Sequence, residues 1–454
     1  MQLDDDADIL LGDGSEETTP QDLYTGSAVF DMRFHPSAPL LAVGLVSGGI
    51  EIHQWRRNET RMVTNMAEVH TGGVTGVEFS EDGQYLLSCS SDKSISVYDC
   101  NTQQQVLRVQ KAKSNPHKHG ISSMNVCTES ILATGDDDGL IALWDLRQQK
   151  VVAKYHEHGD YVSSMLFFSE IDHLVSSSGD TCLGAFDLRN QKIIDFSDKR
   201  PDELNCIAFI PAINAIICGT PSGSLPVWRY GSWSRPYDVF DKHPRECEAI
   251  ETYNDNIILT GACDSMIRVV QVHPTKRVLT TLGGHSKKYG GGIFRLRISH
   301  DRNLVATCGQ DNIVRFVDIE FLADESEVDK LRSKAEQRHM ATIREANAED
   351  AAAEEQQEGG EEDEESEWSD TSEDDDDEDD GSGDDEEAQE ADEEAGEEDS
   401  DDDSSDEDTA NTTRAKKRAR VAAAKWLKEA QKEKVNFSKE LKKKRVKGFW
   451  GDLV

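Results

Sequence analysis

Residues 88–99 read SCSSDKSISVYD, which suits two short strands joined by a tight turn. Asp92 is the turn residue, and after it Ile95 and Val97 alternate toward one face of the second strand. The same template returns six times along the chain, with Asp or Ser at the turn: Ser47, Asp138, Asp180, Ser222, Asp264 and Asp311. The stretch is therefore one copy of an internal repeat.

The repeat period predicts a propeller. Successive turn positions are separated by 45, 46, 42, 42, 42 and 47 residues, which leaves no gap for a missing copy. Such a period is typical of four-stranded blades arranged in a ring. We therefore predict an all-β, seven-bladed propeller. The chain becomes helix-like from Val328 to Arg344, so the outer strand of blade seven should come from residues near Leu23 to Gly26 and close the ring.

Polar residues recur around the turns in a pattern that resembles the WD-repeat family. In that family an upstream His, a strand Ser or Thr, the turn Asp and an aromatic residue form a buried hydrogen-bond network. The matching residues are His70, Ser88 and Asp92 in blade two, His119, Thr134, Asp138 and Trp144 in blade three, and His158, Ser176 and Asp180 in blade four. Tyr98 and Phe186 take the place of the Trp in blades two and four.

These residue types also occur in Ser-His-Asp hydrolases, but a catalytic triad occurs once, whereas this set recurs in successive blades. The sequence has no G-x-x-x-x-G-K-[ST] phosphate loop and no H-E-x-x-H metal motif. We therefore expect no catalytic residues, no cofactor and no metal ion, and a binding platform, not an enzyme. The nine Cys include no C-x-x-C pair, and reduced, buried thiols are expected at Cys89, Cys218, Cys263 and Cys308.

Residues 19–22, 34–36, 133–137 and 178–184 read TPQD, FHP, ATGDD and SGDTCLG. These stretches resemble the family of WD repeat-containing protein 55. The resemblance covers Pro20 to Leu322, and the aromatic end FWGDL at residues 449–453 is similar in kind. It implies a nuclear and nucleolar protein tied to ribosomal RNA production, with no known enzymatic activity.

Most of the net charge of −41 lies in one segment, because residues 345–413 contain 38 Asp and Glu and no Lys or Arg. This composition predicts disorder, since nothing apolar offsets the entropy of folding. We expect a solvating spacer or a segment that binds basic partners such as histones or ribosomal proteins. Six residues with an acidic residue three positions on are candidate sites for acidophilic kinases: Thr371, Ser372, Ser382, Ser400, Ser404 and Ser405.

The sign of the charge reverses in residues 414–447, where 15 Lys and Arg accompany 3 Glu. The stretch predicts a helix around Leu427. It also begins with a cluster that resembles a nuclear localisation signal: Arg414, Lys416, Lys417, Arg418 and Arg420. A second cluster consists of Lys442, Lys443, Lys444 and Arg445. RNA contact and pairing with the acidic segment are open alternatives.

The chain is expected to divide into an acidic disordered N-terminus (1–22), the propeller (23–322), a helical extension (323–344), the disordered acidic segment (345–413) and a basic helical tail with an aromatic end (414–454). Its N-terminus opens with acidic residues, and no window reaches the ~18 apolar residues of a membrane helix. We therefore expect a soluble, intracellular protein that does not contact membranes.

Two surface features bear on partners. Residues 144–147 (WDLR) and 186–189 (FDLR) resemble the W-D-x-R box by which many WD proteins dock on the adaptor of a cullin-RING ubiquitin ligase, with Trp144, Asp145, Arg147, Phe186, Asp187 and Arg189 as the docking residues. Only the Arg adds to the signature of the repeat itself.

The loops that lead into blades three, five, six and seven predict a basic rim for RNA or acidic proteins: Lys111, Lys113, Lys118, Lys199, Arg200, Lys242, Arg245, Lys287 and Lys288. The loops into blades two and four break this pattern with Glu68, Glu157 and Asp160, and Lys is also common in ordinary exposed loops.

The leading hypothesis is a non-enzymatic scaffold of the nucleus and nucleolus that binds pre-ribosomal proteins, with RNA contact through the basic tail and rim. It would act as a monomer within larger complexes. The alternative is a substrate receptor of a cullin-RING ligase, docked through the two W-D-x-R boxes.

Overall fold

The computed structural model describes residues 9–10, 19–109, 115–241, 243–285, 292–309, 311–338 and 340–341. These residues form 29 strands, of which β1 is Ile9–Leu10 and β2 is Leu23–Tyr24. Blade one consists of β3 Val29–Phe34, β4 Leu40–Leu45, β5 Ile50–Arg56 and β6 Glu59–Met66. Blade two consists of β7 Val74–Phe79, β8 Tyr85–Ser90, β9 Ile95–Asp99 and β10 Gln104–Val109. Blade three consists of β11 Ile121–Val126, β12 Ile131–Asp136, β13 Ile141–Asp145 and β14 Lys150–Tyr155.

The remaining blades follow in chain order and form the same kind of sheet. Blade four consists of β15 Val162–Phe168, β16 His173–Ser178, β17 Leu183–Asp187 and β18 Lys192–Phe196, and blade five of β19 Cys206–Ile210, β20 Ala215–Gly219, β21 Leu225–Arg229 and β22 Asp238–Phe240. Blade six consists of β23 Cys247–Thr252, β24 Ile257–Ala262, β25 Ile267–Gln271 and β26 Arg277–Leu282. Blade seven contains β27 Ile293–Ile298, β28 Leu304–Gly309 and β29 Ile313–Asp318. The first strand of each blade packs against the first strand of the next around a central channel. The predicted seven-bladed propeller is confirmed.

The antiparallel order gives the disc two faces. The upper rim carries the loops between blades and the turns between second and third strands, and the lower rim carries the other two sets of turns. On the upper rim the turn of one blade packs closely against the loop into the next. At Gly139, which has φ +80°, an added Cβ would lie 2.3 Å from the carbonyl oxygen of His158, so no larger residue fits there.

Seven hydrophobic clusters hold the blades together, one between each pair of neighbours. Between blades two and three, for example, Leu87 and Val97 pack with Ile121, Leu132 and Trp144. Successive side chains of a strand face opposite neighbouring blades. Because each blade has a neighbour on both sides, both faces of its sheet bury apolar residues. The core is therefore a ring of small interfaces, and each blade depends on the next for its burial.

Ring closure uses the N-terminal strand that the sequence predicted. In β2, Leu23 pairs with Val314 and Tyr24 with Ile313, which completes the sheet of blade seven. Closure is reinforced beside the channel by Asp31, which accepts the backbone N–H of Val77 at 3.0 Å and lies 3.3 Å from a guanidinium nitrogen of Arg297. Asp31 thus links blade one to blades two and seven.

Two elements flank blade six. A helix over residues 325–338 begins three residues before the expected start, because the Asp324 carboxylate accepts the N–H of Ser326 and caps it. It buries Val328 and Ala335, and Arg277 pairs with Glu336 at 3.3 Å. The N-terminus was expected to lack structure over residues 1–22. That expectation was wrong for β1, whose backbone pairs in parallel with the free edge of β26.

All nine cysteines are free thiols. Cys89, Cys218 and Cys308 are fully buried as expected, and burial raises the pKa of the Cys89 thiol to about 12. The expectation was wrong for Cys263, which lies in the upper-rim turn of blade six and is exposed. Among the described residues no helix is long and apolar enough to cross a membrane. In that same part of the chain, no group of three His, Cys, Asp or Glu is placed to hold a metal ion.

Candidate functional site

Blade four contains the His, Asp and Ser contacts that the repeat predicted. His158 Nδ1 lies 2.8 Å from an Asp180 carboxylate oxygen, and its Nε2 lies 2.7 Å from Ser176 Oγ. Blade seven repeats the arrangement, with His285 Nδ1 2.9 Å from Asp311 and Nε2 3.1 Å from Thr307 Oγ1. In both blades the imidazole bridges the upper-rim turn and the second strand.

Blade three uses different residues from those expected. His117, not His119, lies 2.7 Å from Thr134 Oγ1, and it lies 2.8 Å from Asp136, not Asp138. The indole N–H of Trp144 donates to Thr134 Oγ1 at 2.8 Å and completes the network.

The assignment of His119 and Asp138 was wrong because both side chains are more than half exposed on the upper rim. Asp136 ends β12 inside the blade, where its carboxylate also accepts the N–H groups of Asp138 and Leu140. Spacing from Thr134 alone selected Asp138, but burial favours the carboxylate two residues earlier.

The distance from each histidine to the first strand of its blade, the inner strand, would have identified His117. His70, His158 and His243 each stand four residues before the first residue of that strand, and so does His117 before Ile121. His119 stands only two residues before it. Because the inner strand is the fixed element, distance from that strand is a better guide than distance from the turn.

Blades two and six carry variants of the network. His70 Nε2 lies 2.8 Å from Ser88 Oγ, but Nδ1 reaches Asp92 through the hydroxyl of Ser94, which lies 2.6 Å away. His243 Nε2 lies 3.0 Å from Thr260 Oγ1 and its Nδ1 lies 2.6 Å from the carbonyl oxygen of Arg245. Burial lowers the pKa of both His70 and His243 to about 4, so both rings are neutral at pH 7.

The networks have a structural role. The side chains of His117, His158 and His285 have no exposed surface, so none of these rings can meet a substrate. Burial opposes ionisation of Asp136 and Asp180, but hydrogen bonds from their histidines and from backbone N–H groups outweigh it and lower the pKa of both carboxyls.

The upper rim is of mixed charge where the structure describes it. Of the predicted basic residues, Lys118, Lys199 and Arg245 are exposed. Arg200 instead lies against the ring of Trp228, 5.7 Å from its centroid, with its Nε buried. Exposed carboxylates lie among these cations: Asp137, Asp138, Glu157, Asp160 and Glu203. Lys111, Lys113, Lys242, Lys287 and Lys288 lie outside the described residues.

The W-D-x-R segments form two equivalent turns on the lower rim. Trp144 and Phe186 are fully buried, so neither ring can contact a partner. Asp145 accepts the N–H of Gln148 at 3.0 Å, and Asp187 accepts the N–H of Asn190 at 2.9 Å. The same contact is thus present in both turns. Of the predicted docking residues, Arg147 and Arg189 are the exposed ones.

Comparison with known proteins agrees with this architecture. The sequence profile of the WDR55 family matches residues 20–322. The chain belongs to the WDR55 family. Rattus norvegicus WD repeat-containing protein 55 is 30% identical to it over 303 residues, which is 66% of this chain and 77% of the relative. The Homo sapiens protein is 28% identical over 318 residues (70% and 81%), and the Dictyostelium discoideum homolog is 28% identical over 315 residues (69% and 74%).

The WDR55 match and the geometry describe a WD-repeat scaffold, in a family that is generally non-catalytic. The buried networks fix the blades, and the two rims are the surfaces on which a partner can dock. The nuclear signal from Arg414 to Arg420 and the six candidate phosphorylation sites between Thr371 and Ser405 lie outside the described residues and stay predictions.

Proposed function

We propose that this chain is a nuclear scaffold, concentrated in the nucleolus, that binds proteins during ribosomal RNA production and ribosome assembly. Support comes from the WDR55 match over residues 20–322 together with the basic cluster from Arg414 to Arg420. The observation that carries the proposal is the burial of the polar networks. They stabilise the blades, so the exposed rims are left for binding.

Protein, not RNA, is the main ligand in this proposal. The described upper rim presents Lys118, Lys199 and Arg245 next to exposed carboxylates such as Asp137 and Glu203. RNA binding depends on many cations facing phosphates together, and interspersed carboxylates repel phosphate. Mixed charge suits a protein surface that carries both signs. The chain acts as a monomer within larger complexes, and RNA contact belongs to the basic tail.

Proximity labelling in cells tests this proposal. The full chain and a chain ending at residue 344 are each fused to a labelling enzyme, and the labelled proteins are identified by mass spectrometry. We expect pre-ribosomal proteins with the full chain. The shorter chain is given an added nuclear signal, so that its partners reflect the propeller and not its location. If neither chain labels pre-ribosomal proteins above a control propeller, the ribosomal role is refuted.

A second candidate function is supported by the two equivalent lower-rim turns. Arg147 and Arg189 project from adjacent blades in matching turns, as a docking pair for a ligase adaptor would. Substitution of both by Glu should remove adaptor co-purification and leave melting unchanged. Adaptor that still co-purifies with this variant, or that never co-purifies with the wild type, excludes a receptor that docks in this way.

A further inference from the structure

A groove of about 260 Å³ opens on the lower rim between blades three and four. Its lining is mainly apolar: Cys127, Ile131, Leu143, Val152, Phe167 and Leu188. Cys127 and Leu143 form a buried floor, whereas Ile131, Val152 and Leu188 keep part of their surface exposed. A partly exposed apolar groove between two rigid sheets suits one large side chain of a ligand.

The blade-four turn lines this groove with Arg189 and Gln191, and an equivalent turn of blade three joins the two strands that contribute Leu143 and Val152. Residues 145–150 and 187–192 share the pattern D-L-R-x-Q-K, and their Arg and Lys side chains are exposed: Arg147, Lys150, Arg189 and Lys192. The corresponding turn of blade two, residues 100–103, contains no Lys or Arg. The paired Arg and Lys are therefore a shared feature of blades three and four and not of every blade.

The carboxylates near the groove decide how these cations act. Asp145 and Asp187 point back into their own turns, where each accepts a backbone N–H and a side-chain amide. Glu129 and Glu170 are exposed on the adjoining turns, so the surface is not uniformly positive. The cations therefore work by direct pairing at close range and not by a long-range field.

Asp172 adds a hydrogen-bond acceptor to the groove. It lines the groove together with Thr128, and its backbone carbonyl accepts the N–H of Leu188 at 2.9 Å, which ties the two lower-rim turns of blade four together. A buried indole needs an acceptor for its N–H, and the Asp172 carboxylate or the Thr128 hydroxyl can supply it. Tryptophan is therefore the large side chain that this lining suits best.

We propose that this groove binds an acidic peptide of a partner protein, anchored by one tryptophan. The indole enters the apolar groove, and carboxylates on both sides of it pair with Arg147 and Lys150 on one turn and with Arg189 and Lys192 on the other. The ribosomal role is not assumed in this proposal.

A natural probe of this chemistry is available in the sequence itself. Residues 361–375 read EEDEESEWSDTSEDD, and Trp368 is the only large apolar residue between positions 345 and 413. A labelled synthetic peptide with this sequence is titrated against the full-length protein by fluorescence anisotropy. The protein carries Trp368→Ala in every case, so that the probe supplies the only acidic tryptophan segment in the assay.

We expect saturable binding that weakens roughly tenfold or more when the tryptophan of the probe is replaced by Ala. Arg189→Glu with Lys192→Glu should weaken it by a similar factor. The matched control is Arg56→Glu with Arg57→Glu, two exposed cations on the same type of turn in blade one, which should change nothing. Val152→Glu should block the groove itself, and thermal melts verify that each variant is folded.

Equal binding of the tryptophan and alanine probes would overturn the proposal, as would an equal loss in the blade-one control. Absence of binding to the wild-type groove at low salt would overturn it as well. None of these results depends on the cellular labelling experiment, so the groove and the ribosomal role fail or succeed separately.

Discussion

His117 and His119 lie two residues apart in one loop but in opposite environments. The His117 side chain is fully buried between Thr134 and Asp136, whereas more than half of the His119 side chain is exposed. His117→Ala removes one hydrogen-bond partner from each of two buried polar groups and should lower the free energy of unfolding by about 1–3 kcal/mol. Urea titration followed by circular dichroism measures it.

The neighbouring histidine provides the control. His119→Ala removes an exposed ring and should change the free energy of unfolding by less than ~0.5 kcal/mol. Equal losses from the two substitutions would show that the loop, and not the buried network, determines the stability of blade three.

The two neutral histidines predict how stability depends on pH. Burial lowers the pKa of His70 and His243 to about 4, below the ~6.5 of an unfolded chain. Between those values the unfolded state binds more protons than the folded state, so stability falls as pH decreases from about 6.5 to 4. Each histidine contributes up to about 1.4 kcal/mol per pH unit in that window.

Urea titrations at pH 7, 6, 5 and 4.5 measure this slope, and His243→Gln should reduce it by the contribution of one histidine. Because Gln can still hydrogen-bond Thr260, the variant is expected to fold. A slope unchanged by His243→Gln would assign the acid sensitivity to other groups.

Sequence patterns identified most of the network residues but not their environments. His70, His158 and Ser176 occupy the expected places, whereas three consecutive Asp at 136–138 and the His-Lys-His at 117–119 each offered more than one candidate. Residue type and spacing could not choose between them, because the choice is made by burial. Likewise, Arg200 was expected to be exposed on the upper rim but packs on Trp228.

At the level of elements, β2 is a two-residue strand on which the ring depends. Leu23 is 4% exposed and packs among residues of blades seven and one, whereas Tyr24, beside it in the same strand, is 77% exposed. Leu23→Ala should therefore cost about 2–4 kcal/mol of unfolding free energy, and Tyr24→Ala much less. Denaturant titration of the two variants compares them directly.

Similar stabilities of the Leu23 and Tyr24 variants would mean that the main-chain pairing of β2, and not its buried side chain, closes the ring. That outcome would contradict the role given to Leu23. The pair is well matched, because both residues belong to β2 and both substitutions leave its backbone in place opposite β29.

The number of blades and the closing strand could be predicted because both follow from a strong period and from the need to cover an open sheet edge. β1 could not be predicted in this way. Its two residues, Ile9 and Leu10, show no periodicity, and their pairing depends on the edge of β26, which lies more than 260 residues away in the chain. The helix after blade seven was predicted, but its start is set by Asp324, which caps it.

At the scale of the whole molecule, the two rims serve different chemistries. The upper rim holds the loops, His networks and charges of both signs, whereas the lower rim between blades three and four combines an apolar groove with matching Arg and Lys turns. Since the two rims are opposite faces of one ring of packed blades, two partners can bind them without competing. A scaffold that joins two components needs this arrangement.

The last prediction concerns the location of the protein. The cluster Arg414, Lys416, Lys417, Arg418 and Arg420 has no counterpart of equal density in residues 23–322. Its replacement by Ala should move a tagged chain, made too large for passive diffusion, from the nucleus to the cytoplasm, as measured by fluorescence microscopy. The matched control replaces Lys442, Lys443, Lys444 and Arg445, which removes nearly the same charge from the same tail. A third variant replaces both clusters. If replacement of the first cluster alone moves the chain out of the nucleus, that cluster is the import signal; if only the third variant leaves the nucleus, the signal is bipartite. A chain that stays nuclear without either cluster must enter bound to a partner, and the assignment of an import signal to this tail would then be wrong.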